Sequence, residues 1–109
     1  MSAVNHLHIE HVDPKDGIKR NCIVQFKFGD TWETNYRLGD KLAWGGNDNG
    51  EPGKRRVVVH GVTGSCDTSG VLPEDWFIFI ENDVIKSVEP DDGRYNFDDS
   101  DGYYLVLEE

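Results

Sequence analysis

Apolar residues along this chain recur at a spacing of two, in short runs. Over residues 18–28, Cys22, Val24, Phe26 and Phe28 share one face while Ile23, Gln25 and Lys27 share the other, the alternation of a half-buried strand. Residues 31–38 repeat the pattern with Trp32, Thr34, Tyr36 and Leu38 on one face. Gly29-Asp30 between the two runs predicts that they pair as a hairpin. Residues 4–12 read as an earlier strand, closed by turn chemistry at Asp13-Pro14-Lys15-Asp16-Gly17. Further strands are expected at 41–44, 55–62, 75–81, 84–88 and 103–107. The Val57-Val58-Val59 triplet and the run Trp76-Phe77-Ile78-Phe79-Ile80 predict buried strands, and Asn82-Asp83 supplies a two-residue turn.

Helical spacing is nearly absent; one short helix would fit within 67–76, after Pro73. The pattern therefore predicts a mainly β protein, a single domain over residues 1–109. Its expected form is an antiparallel β-barrel or β-sandwich of about seven to eight short strands with little or no helix. Long loops are expected near 45–54, 63–74 and 89–102. The first and last strands are expected as sheet edges able to pair between two copies of the chain.

Charge narrows the choice of partner. Eleven basic residues against 21 acidic ones give a formal charge of −10. Residues 1–60 carry a net +1 and residues 61–109 a net −11, so the excess is confined to the C-terminal half. Phosphates of double-stranded nucleic acid and of an anionic membrane would be repelled. No secretory leader is visible at the N-terminus, and no apolar run reaches the ~20 residues of a membrane helix. Two cysteines, Cys22 and Cys66, are too few for a disulfide scaffold. These observations predict a cytoplasmic protein with reduced thiols.

Candidate chemistry is sparse, and neither a catalytic residue nor a cofactor motif emerges. Residues 45–54 contain Gly53-Lys54, but Asp48 stands where a phosphate loop needs its first glycine, and a strand rather than a helix follows. His6 and His8 share one strand face and form an H-x-H pair that zinc would accept, with His60 or Cys66 as a third ligand. Calcium would suit the C-terminal aspartates, although neither Gly93 nor Gly102 has the EF-hand spacing before it. A small ligand would suit a barrel mouth lined by Trp32, Trp44 and Trp76.

The acidic C-terminal segment carries the leading expectation. Asp91, Asp92, Asp98, Asp99 and Asp101 fall within eleven residues, interleaved with Tyr95, Phe97, Tyr103 and Tyr104. Tyrosine supplies amphipathic contact area, and a field of carboxylates steers a cationic partner. The reading is a small non-enzymatic module that binds a basic protein through Asp91, Asp92, Tyr95, Asp98, Asp99, Asp101 and Tyr103. Its sharpest form is an inhibitor or immunity-type protein that occludes a basic enzyme such as a nuclease toxin. The alternatives are a zinc- or calcium-binding β-domain and a small-ligand binder.

Overall fold

The period-two pattern is realised most fully at the N-terminus. In β1 (Asn5–Val12), Leu7 and Ile9 point inward; in β2 (Lys19–Phe26), Arg20, Cys22, Val24 and Phe26 do so. The two strands pair antiparallel from Asn5↔Phe26 to Val12↔Lys19. In the computed structural model, which describes residues 4–12, 17–66, 74–95, 97 and 103–109, seven more strands follow. They are β3 (Gly29–Asp30), β4 (Asn35–Arg37), β5 (Asp48–Asn49), β6 (Arg56–Cys66), β7 (Asp75–Glu81), β8 (Val84–Pro90) and β9 (Tyr104–Glu108). The mainly β prediction holds, and no helix occurs among the described residues.

The main sheet runs β4-β1-β2-β6-β7-β8, with β9 also on β6. β6 organises it. One edge of β6 takes β7 along Val57–Val62, while the other takes β9 along Arg56–Val59 and β2 from Gly61 onward. The sheet curls into a half-barrel, and residues 39–42 tie its two ends together. Gly39 donates its N–H to the Ile85 carbonyl (2.7 Å), Ile85 to Asp40 (2.9 Å) and Leu42 to Asp83 (2.7 Å). The interior is filled by Leu7, Val24, Phe26, Val57, Val59, Ile78 and Ile80, none more than 2% exposed.

That filling removes the tryptophan-lined mouth expected for a small ligand. Trp76 is a core residue at 1% exposure, Trp32 stands 66% exposed on a loop, and Trp44 packs edge-on against Phe28.

Residues 31–38 differ from expectation. Only 35–37 form a strand, β4, and it pairs in parallel with β1 rather than as a hairpin with β2. The other edge of β2 is already taken by β6, so the chain crosses over and enters beside β1. Asn5 anchors the crossover: fully buried, it donates Nδ2 to the Phe28 carbonyl (3.0 Å) and accepts the Thr34 N–H on Oδ1 (3.2 Å). Asn5→Leu strands these two backbone groups without partners, and a loss of about 1–3 kcal/mol in urea denaturation is expected.

Composition also misled at two loops. Within 45–54, Asp48–Asn49 pairs with Gly29–Asp30, and Asp30 accepts the Asn47 N–H (2.8 Å). Gly50 sits here at φ +84°, where an added methyl would overlap the Phe28 ring. The expected loop at 63–74 begins as strand, because Thr63–Cys66 continue β6 against β2. Of the helix expected within 67–76, residues 75 and 76 belong to β7, and 67–73 lie outside the described residues.

The cysteines overturn the expectation of reduced thiols. Cys22 and Cys66 face each other in register across β2 and β6, with Cα atoms 4.1 Å apart, and are joined as a disulfide. Two cysteines do not make a scaffold, but opposed on neighbouring strands they make one cross-link. The cysteine argument for a cytoplasmic protein falls with this bond. Among the described residues no helix is long and apolar enough to cross a membrane.

Candidate functional site

β6 and β7 are apolar on both faces, which is why the valine triplet and the run after Asp75 read as continuous rather than alternating. On the outer face the register sets Val58 beside Phe79, His60 beside Phe77 and Val62 beside Asp75. Val58, Phe77 and Phe79 form a second small core, separate from the interior. Leu105 and Leu107 of β9 cover one part of it, and Tyr95 and Phe97 of the acidic segment cover the rest.

The acidic segment is therefore docked on the sheet. Asp91 donates its backbone N–H to the Asp75 carbonyl (3.0 Å), and the Asp91 side chain turns the chain by accepting from Gly93 (2.7 Å). Tyr95 meets Phe77 edge-on at 5.1 Å and Phe79 at 6.2 Å. The Arg94 guanidinium lies over Phe77 (5.4 Å), pairs with Glu89 and bonds Asp92 at 2.9 Å. Tyr95 thus has a packing role that its sequence setting did not indicate.

Between the docked segment and β6 and β7 lies an open cleft of about 540 Å³. His60, Asp75, Asp91, Tyr95, Phe97 and Tyr103 line it. The His60 ring stands 5.3 Å from Phe97 and 6.1 Å from Tyr103, with Nε2 bonded to Asp75 Oδ1 at 2.9 Å. The Asp75 side chain stays half exposed. Tyr103 is 54% exposed and holds φ at +63°, a conformation costing a non-glycine residue about 1–2 kcal/mol. A large ring kept outward in a strained conformation is not explained by packing. Rings at the walls with carboxylates beside them match a desolvating ammonium or guanidinium, by cation–π attraction and ion pairing.

The cations of the 54–56 stretch are already engaged. Lys54 binds Glu109 (2.5 Å) and Glu51 (3.3 Å), and these carboxylates, Glu109 foremost, hold its ammonium above the ordinary pKa. Arg55 approaches Glu108 at 3.8 Å, and Arg56 lies over Phe79. The basic stretch at 54–56 is thus tied to the chain end and the outer core. Among the described residues, no lysine or arginine pairs with Asp75 or Asp91.

Of the expected partner-binding residues, Asp91, Tyr95 and Tyr103 meet at this cleft, and Asp92 is exposed beside it, bound to Arg94. Asp98, Asp99 and Asp101 lie outside the described residues. His60, Asp75 and Phe97 complete the cleft; sequence reasoning gave His60 to zinc and passed over Asp75. The usable signal was alternation: His60 and Asp75 are the polar outward positions flanking two apolar runs.

The zinc alternative loses its geometry. Cys66 has no thiolate to offer, His8 Nε2 bonds Asn35 Oδ1 (2.8 Å), and the whole of β2 separates His6 and His8 from His60. No three His, Cys, Asp or Glu side chains among the described residues come together around a metal-sized space. Fold and cleft define a small curled-sheet domain with an acidic, ring-lined cleft on its outer face. No protein-family model, curated protein or solved structure matches the chain.

Proposed function

We propose that the domain binds a basic partner protein, seating one of its arginine or lysine side chains in the outer-face cleft. The observation that carries this reading is the cleft itself, where Asp75 and Asp91 stand among the rings of His60, Tyr95, Phe97 and Tyr103. The net charge of −10, concentrated after residue 60, supports it by drawing cationic partners in at long range. Asp92, Asp98, Asp99 and Asp101 add to that field by their charge. The mechanism is occlusion: a basic enzyme whose substrate-binding arginine or lysine sits in the cleft is blocked. An inhibitor or immunity-type protein directed at a nuclease is the sharpest form of the proposal.

Tyr103→Gly tests the reading while sparing the fold. Glycine relieves the positive φ, so the melting temperature is expected to stay level or rise. Affinity for a fluorescent oligo-arginine peptide should fall about tenfold, as an exposed cation–π contact and its contact area are lost. A variant that binds the peptide as the wild type does removes Tyr103 from the site.

The cytoplasmic location stays in the proposal under a condition. The condition is that the Cys22–Cys66 bond holds against the glutathione pool there: alkylation of the cytosolic fraction should find both cysteines blocked, and a blocked pair found only outside the cytosol overturns the location.

A further inference from the structure

The cation cleft has a neighbour. A second cleft of about 390 Å³ lies on the same outer face, with Val4 and Val62 in its walls and Gln25 and Lys27 at its edge. His60 and Tyr103 line both clefts, so the two are divided by one shared wall of rings. Val62 and Tyr103 are among the exposed large hydrophobic residues, at 38% and 54%. The first cleft is acidic. The second is apolar with a cation in its lining, which disfavours a second arginine or lysine.

We infer that the pair of clefts reads two positions of one extended segment of the partner, a cationic side chain and an apolar side chain two residues away. This deepens the partner-binding reading above and rests on it. In an extended segment, side chains two positions apart point the same way and stand roughly 7 Å apart. That spacing lets neighbouring same-side chains drop on opposite sides of His60 and Tyr103, which line both clefts. The arginine or lysine goes to Asp75 and Asp91; the apolar side chain goes against Val4 and Val62. Two different pockets side by side give selectivity beyond charge, since a segment of cations alone fills only one of them.

Nuclear magnetic resonance titration of the full chain tests this with blocked glycine hexapeptides. One carries a single arginine; two others add a leucine two positions before or after it. The arginine-only peptide should shift amides around His60, Asp75 and Asp91. Leucine in one of the two directions should tighten binding about tenfold and extend the shifts to Val62 and Val4. Val62→Ser should abolish that increment. If arginine alone binds and leucine adds less than twofold in both directions, the paired reading is wrong and the partner-binding reading stands. An increment that survives Val62→Ser also overturns it. If no arginine peptide shifts the cleft amides, both readings fall.

Discussion

Reducing the Cys22–Cys66 bond is expected to destabilise the fold strongly. The bond closes a loop of 44 residues, and the chain-entropy model gives roughly 4 kcal/mol for a loop of that size. For a domain of this length that is on the order of 15–25 °C in melting temperature. The location sharpens the effect. Cys66 ends β6, and the β2–β6 register shifts between Ile23 and Val24, so the cross-link fixes the stretch where the ladder is least regular. Cys22→Ala with Cys66→Ala should reproduce the shift seen with a reductant, and the reductant should then have no further effect. Equal melting curves for wild type with and without reductant would contradict this account.

Phe77→Ala should cost nearly as much, about 3–5 kcal/mol, the range for removing a fully buried aromatic ring. Phe77 is 0% exposed, yet it lies outside the barrel interior, among Phe79, Tyr95, Phe97 and the Arg94 guanidinium. If this cluster is a true second core, the loss appears in urea denaturation and the acidic segment undocks with it. Protection of amides near Tyr95 should then fall by more than that of amides in β1, which packs on the other core. A cost below about 1 kcal/mol would show that the outer cluster is a surface adornment.

Both predictions turn on features that were only partly legible in the sequence. Trp76-Phe77-Ile78-Phe79-Ile80 announced a buried strand, but a continuous apolar run does not say what covers its second face. The cover is Tyr95 and Phe97, which the charge around them had marked as recognition residues. Alternation in 31–38 pointed to a full strand. Only Thr31 and Tyr36 are buried there; Trp32 and Leu38 stay exposed, and Glu33 takes φ +57°, which breaks the extended chain. The disulfide was hidden because cysteine count speaks of scaffolds, whereas the bond depends on Thr63–Cys66 being strand despite a loop-like composition. Asn5 gave no signal at all, since one buried amide holding a crossover has no sequence pattern. The turn at Asn82-Asp83 was legible for a physical reason: both residues take positive φ, 50° and 67°, as a primed hairpin turn demands.

The candidate site divides the same way. Carboxylates and tyrosines near the C-terminus were visible as a cluster, and Asp91, Tyr95 and Tyr103 do meet. His60 and Asp75 reach the same place from strands that the charge map did not mark, and only the β6–β7 register brings them in.

The most direct measurement is calorimetric titration of an oligo-arginine peptide into wild type, Asp75→Asn with Asp91→Asn, and Glu33→Gln as a surface control. At physiological salt the account predicts one site in wild type, an affinity at least tenfold weaker in the cleft double variant, and no change in the control. Equal weakening in the control and the cleft variant would mean that diffuse charge alone holds the peptide, and would contradict a cleft that seats a cation.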